Sequence, residues 1–192
     1  YLDVTRDEGG LPALPFFMAV RAAVRAHVGA AQLSDAGPRA SDIRAEAQRY
    51  FALALNLLER RPARLIAVGG LSGSGKSTVA AALAPRIGPA PGARTLSSDR
   101  IRKRLRGVSA ETRLDANSYT SDMTEQVYAA MAADAERILR LGHGVVADAT
   151  FERAADRSRI AAVARGVGVD FQGLWLDVDP AEMLRRVAAR RN

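Results

Sequence analysis

Fourteen residues, Arg64 to Ser77, constrain this chain more than any others: Arg64-Leu65-Ile66-Ala67-Val68-Gly69-Gly70-Leu71-Ser72-Gly73-Ser74-Gly75-Lys76-Ser77. The run Leu65 to Val68 is short, apolar and bounded by glycine, which reads as a buried strand. Gly70 to Ser77 then fits G-x-x-x-x-G-K-[ST] at every position. Glycines let the backbone wrap closely, so that successive N–H groups turn inward toward phosphate oxygens. A helix opening near Lys76 adds its positive dipole end. Gly70, Leu71, Ser72, Gly73, Ser74 and Gly75 are expected to form the cradle. Lys76, Ser77 and Thr78 complete it, Lys76 reaching the β and γ phosphates of ATP and Ser77 placing its hydroxyl on Mg²⁺. The bland alternative is an empty glycine-rich turn, but a strand before and a helix after are the context this loop needs.

Three further apolar runs follow, at residues 93–98, 144–149 and 169–178. Helical patterns separate them, at 76–87, 100–106, 122–141, 154–165 and 180–191. Gly88, Gly107, Gly142 and Gly166 each follow a helical stretch, as C-terminal caps do. Asp179-Pro180-Ala181-Glu182 is a helix start with a cap, a proline in the first turn and a following glutamate. Strands alternating with helices predict an α/β fold with a parallel sheet and helices on both faces, three layers in all.

Upstream the pattern is different. Residues 1–15 carry Gly9, Gly10, Pro12 and Pro15 and read as a loop. Phe16, Val20, Ala23, Val24, His27, Val28 and Ala31 then recur at helical spacing. Arg21 and Arg25 lie opposite, and His27 is expected to pack. After a connection over 34–41, Ile43, Ala47, Tyr50, Phe51, Ala54, Leu57 and Leu58 mark a second helix. It should end near Arg61-Pro62, because the residue before proline is pushed out of the helical region. Residues 1–61 are therefore predicted as a helical hairpin and 62–192 as the α/β domain.

Two carboxylates fall at strand ends. Asp148 closes Val145-Val146-Ala147-Asp148, and ligands in open parallel sheets sit beyond the carboxyl ends of strands. Asp148 could hold Mg²⁺ directly or through water; a capping or turn role is the alternative. Asp99 follows the second strand, with Arg102 one helical turn on. Asp99 could accept the proton of an acceptor hydroxyl, or merely cap its helix. Arg102 could clamp an anionic part of the acceptor. Arg100, Lys103, Arg104 and Arg106 read as a solvated face.

The phosphate loop, Ser98-Asp99-x-x-Arg102 and Val145 to Phe151 together resemble the P-loop kinases related to polynucleotide kinase and zeta toxin. The resemblance covers residues 64–192. It implies a three-layer P-loop kinase fold, ATP and Mg²⁺ as cofactors, and Asp99 as the base that activates a substrate hydroxyl. The strings Leu65 to Gly73 and Ser98 to Leu105 are similar to bacterial two-domain proteins that join such a domain to an aminoglycoside-phosphotransferase-like one. Residues 1–58, notably Leu14-Pro15-Phe16-Phe17 and Arg21 to Ala26, resemble the last helices of that upstream domain. Its catalytic loop has no counterpart here, so the resemblance assigns no antibiotic chemistry. The start at Tyr1, without Met, reads as the interior of a longer chain. The chain stops at Asn192, where these kinases continue into an arginine-bearing lid and a fifth strand.

Composition sets outer limits. There is no cysteine, so disulfides and thiolate metal sites are excluded, in agreement with a reducing, cytoplasmic setting. No apolar run approaches the roughly 18 residues that cross a bilayer. The formal charge is +7, and Lys76 and Lys103 are the only lysines. A basic balance can signal nucleic acid, but no arginine cluster is interleaved with the aromatic residues of a single-strand platform. The expected reaction is phosphate transfer to a hydroxyl of unread identity: a sugar, an antibiotic, an oligonucleotide end or a nucleotide sugar. The rival expectation is a non-catalytic nucleotide-binding or regulatory module.

Overall fold

A computed structural model of the chain describes residues 2–189. Its sheet has four parallel strands, β1 (Arg64–Gly70), β2 (Arg94–Ser97), β3 (Val145–Asp148) and β4 (Asp170–Leu176), in the order β2-β3-β1-β4. The helices are α1 (Leu2–Thr5), α2 (Leu14–Ala31), α3 (Ala40–Leu57), α4 (Lys76–Leu83), α5 (Ser98–Leu105), α6 (Ser121–Arg140), α7 (Ala154–Val167) and α8 (Pro180–Ala188).

Strand alternation divides the core in two. Leu65 and Ala67 of β1, with Val145 and Ala147 of β3, face α6 and α7 and pack on Val127, Met131, Ile138 and Ile160. Ile66, Val68 and Val146 face the other way, onto Ala80 and Ala84. Side chains of successive strand residues point to opposite faces, so β1 and β3 can be apolar over residues 65–68 and 145–147 only because both faces are covered. This is the expected three-layer α/β fold.

The register fixes what stands at the sheet's carboxyl edge. Asp148 is level with Val68 on one side and Ser97 on the other. The phosphate loop, Asp148 and Asp99 therefore emerge from three adjacent strands. β4 pairs with β1 alone among the described residues. It leaves Trp175 and Phe171 partly exposed along an apolar groove of about 210 Å³.

The N-terminal part departs from expectation. Instead of a loop over 1–15, the chain forms α1, a 3₁₀ turn at Leu11–Ala13, and α2 from Leu14. Leu11 is buried in the same core as Leu65 and Val127. Glu8 is buried too and accepts from Arg137 of α6. In the hairpin, the stripe Phe16, Val20, Val24 and Val28 is exposed, as are Phe51 of α3 and Leu58 just after it. The contact runs through Ala19 and Ala22, which lie off the expected stripe of α2, and through Ala54 and Leu57, which lie on that of α3. A Cβ on Gly29 would come within 3.2 Å of the Ala47 Cβ, which shows how closely the helices approach. Large side chains cannot occupy a seam that tight. His27, expected to pack, is exposed. Arg21 and Arg25 lie in solvent as predicted. The cap of α7 is Gly168, at φ +79°, whereas Gly166 lies within the helix. No described helix is long and apolar enough to cross a membrane.

Candidate functional site

Gly70, Gly73 and Gly75 have φ of +140°, +86° and +91°, a region open mainly to glycine. Space is equally limiting. A Cβ on Gly70 would lie 2.7 Å from the Leu176 carbonyl oxygen, and one on Gly73 2.5 Å from that of Met183. The Ser74 amide closes a turn on the Leu71 carbonyl at 3.2 Å. Gly75 is the N-cap of α4, whose first residue is Lys76. The first amides of that helix have no partner within it, and they face the loop.

Lys76 Nζ donates to the Leu71 carbonyl at 2.8 Å, folding its ammonium back over the loop it belongs to. Ser77 Oγ donates to Asp148 Oδ2 at 2.7 Å. Residues 71 apart in sequence thus meet because the loop and β3 end side by side. Asp148 is buried. Ser74 Oγ is buried with no protein partner, an unsatisfied polar atom within the cradle that a phosphate group could satisfy.

These features fit a nucleotide triphosphate with Mg²⁺. The cradle admits no Cβ at two glycines, Ser74 offers an orphaned hydroxyl, and Ser77 with Asp148 supplies hard oxygen donors. No cluster of three or more His, Cys, Asp or Glu among the described residues could hold a metal by itself. Magnesium needs none, since it keeps several waters and shares substrate phosphates.

On the opposite flank of Asp148, Ser97 holds the N-cap position of α5 without a side-chain capping bond, so Asp99 sits inside the first turn and is not the cap. Its carboxylate is half exposed and pairs with Lys103 Nζ at 2.9 Å. Arg102 is buried. Its guanidinium donates to the Ser118 carbonyl at 3.0 Å and lies 4.8 Å from the centre of the Tyr119 ring. The expected solvated face of α5 is in fact committed. Arg100 pairs with Asp3, Arg104 with Asp134, and Lys103 also donates to the Ala110 carbonyl. Arg100, despite that pair, and Arg106 are exposed as expected.

Sequence reasoning missed two features. The first is the place of α8, a helix the sequence did predict, which crosses the phosphate loop: its Met183 backbone abuts Gly73, and Arg186 lies beside Gly75. Asp179 caps it as expected, its carboxylate accepting from the amides of Ala181 and Glu182 at 2.8 and 3.3 Å, but no spacing shows that Arg186 reaches the loop. The second is the turn after Asp148, where Tyr128 from α6 bonds Thr150 and Phe151. Nothing in residue spacing links position 128 to that turn.

Comparison with known proteins agrees with the fold. The uncharacterized protein Rv2004c of Mycobacterium tuberculosis strain H37Rv is 34% identical over 183 residues, 91% of this chain. The uncharacterized protein Mb2027c of Mycobacterium bovis matches equally well. The chain spans 34% of the length of each. Among solved structures, the APS kinase CysC of M. tuberculosis, determined with AMPPNP and APS, aligns with a TM-score of 0.52 at 24% identity, over 67% of this chain and 70% of that one. A protein of Chloroflexus aurantiacus J-10-fl, described as a candidate kinase, aligns with a TM-score of 0.54 at 19% identity, over 68% of each chain. The fold is that of the P-loop kinases, and the AAA domain family model matches residues 65–192, so this chain belongs to the AAA domain family.

Proposed function

We propose that this chain binds ATP with Mg²⁺ and transfers the γ-phosphate to a hydroxyl group of an acceptor molecule. The observation that carries the reading is the 2.7 Å contact between Ser77 and Asp148, at the mouth of a cradle too narrow for a Cβ. Bound Mg·ATP supplies the transferable phosphoryl group and the metal charge that neutralises its oxygens. Lys76 leaves the Leu71 carbonyl to pair with phosphate oxygens, and the loop amides orient them. Ser77 and Asp148 hold the metal side. Arg186, beside Gly75, is placed to meet charge developing on the phosphoryl group. Asp99, two strands from the loop and so about 10 Å away across the sheet, receives the acceptor proton. Arg102 supports the acceptor side. The same reading places an upstream phosphotransferase-like domain against the exposed apolar positions of α2 and α3.

A binding module without transfer is the second reading. It draws on Arg102, whose guanidinium is already engaged by Ser118. Catalysis here is mostly positioning and charge neutralisation, so the two readings differ in one measurable thing. The test is transfer of labelled γ-phosphate across a panel of hydroxyl metabolites, with Mg·ATP affinity measured alongside. Lys76→Ala removes a charged hydrogen bond to phosphate and is expected to weaken Mg·ATP binding about tenfold, with the fold intact. Equal affinity in variant and parent by calorimetry refutes the assignment. Tight binding with no acceptor phosphorylated favours the second reading.

A further inference from the structure

We propose that Tyr128 is a positioning residue for the phosphate loop, acting through the turn that follows Asp148; the proposal rests on the nucleotide-binding reading above. The starting point is Phe151. Its φ is +52°, a conformation that a bulky residue adopts only when its surroundings over-determine it. The side chain is buried, and its ring lies 5.5 Å from that of Tyr128.

Hydrogen bonds hold both ends of this residue. The Phe151 N–H donates to Tyr128 Oη at 3.0 Å, and its carbonyl accepts from Arg157 at 2.7 Å. Tyr128 Oη also lies 3.1 Å from Thr150 Oγ1. Having accepted the hydrogen bond of the Phe151 N–H, it retains its own proton to donate to that hydroxyl.

The turn so fixed reaches the phosphate loop through one bond. The Gly70 N–H donates to the Thr150 carbonyl at 3.1 Å. Gly70 is the first glycine of the cradle and is confined by Leu176 and Ser74. Rotating the 150–151 peptide would carry away both the Tyr128 bond and the acceptor of Gly70. The geometry therefore makes the Tyr128 hydroxyl a latch that sets where the loop begins. Packing alone does not require that hydroxyl, because a phenylalanine ring fills the same space.

Tyr128→Phe isolates the latch. The expected result is a folded protein whose dissociation constants for Mg·ATP and for tripolyphosphate both rise about tenfold, the worth of leaving one buried amide unpaired. Tripolyphosphate reads the cradle alone. An unchanged affinity for both probes, with only a lower melting temperature, overturns the proposal and leaves Tyr128 as core. Hydrogen exchange supplies the second measurement. The Gly70 and Phe151 amides are expected to be protected in the parent and to lose protection together in Tyr128→Phe; a Gly70 amide that exchanges as fast as Ser72 in the parent also overturns it. If the parent binds neither probe, the nucleotide reading fails, and the exchange data still decide whether Tyr128 controls Gly70.

Discussion

Asp99→Asn is expected to slow phosphate transfer by about 10²–10⁴-fold, the usual worth of a general base, while Mg·ATP affinity stays at the parent value. The substitution keeps the size of the side chain and removes its capacity to take a proton. Two structural facts make the experiment clean. Asp99 is not the helix cap, a place held by Ser97, so the start of α5 is not at stake. Its one described ion pair joins a half-exposed carboxylate to Lys103, which is largely buried but keeps its bond to the Ala110 carbonyl, and is worth about 1 kcal/mol at most. The melting temperature should therefore barely move, and a large loss of rate cannot be blamed on unfolding. The register places Asp99 beyond Ser97, level across β3 with the loop beyond Val68, so an acceptor lying over Asp148 would touch both. A variant that transfers phosphate at the parent rate reduces Asp99 to a partner of Lys103.

What could be read in the sequence follows from how local each signal is. The phosphate loop was legible because strand, glycines, lysine and serine are contiguous. Asp148 was legible because a buried strand ending in a carboxylate next to such a loop has few other uses. The hairpin was half legible. The helical period was right, and so was most of the buried face of α3, with Ala47, Ala54 and Leu57; the face of α2 was wrong, since Ala19, Ala22 and Ala26 carry little hydrophobic signal yet permit close approach. The same limit applies to α5. Its arginines look solvated by composition, but their carboxylates arrive from residues 3 and 134, and no spacing rule reaches that far. Arg102 belongs here too: its burial depends on the 3₁₀ turn at Ala116–Tyr119, which the sequence did not announce.

The largest stability effect is expected at Asp134. This carboxylate is buried in α6 and receives Arg104 from α5 at 2.8 Å, Arg137 at 3.1 Å, and Arg6 from the N-terminal segment. Glu8 pairs with the same Arg137. One buried anion thus ties the first residues of the chain to the helix that carries Asp99. Asp134→Asn keeps the volume but removes the counter-charge of Arg104 and Arg6, while Arg137 keeps Glu8. Breaking a fully buried ion pair costs about 3–5 kcal/mol. The arginines here are partly exposed and can recover water, so we expect about 2–3 kcal/mol, after discounting for that exposure. The pH dependence gives an independent check. Burial pushes the Asp134 carboxyl up, and the guanidinium groups of Arg104, Arg137 and Arg6 outweigh it, holding the group below its ordinary 3.8. A carboxylate with a depressed folded pKa contributes stability above its unfolded pKa and loses it as pH falls through the folded one. The parent should therefore exceed Asp134→Asn in urea midpoint at pH 7, and the gap should narrow only below about pH 4. A gap that is absent at pH 7, or one that stays constant down to pH 3, means that the arginines are satisfied by solvent and that the N-terminal segment is held by Leu11 and the apolar core alone.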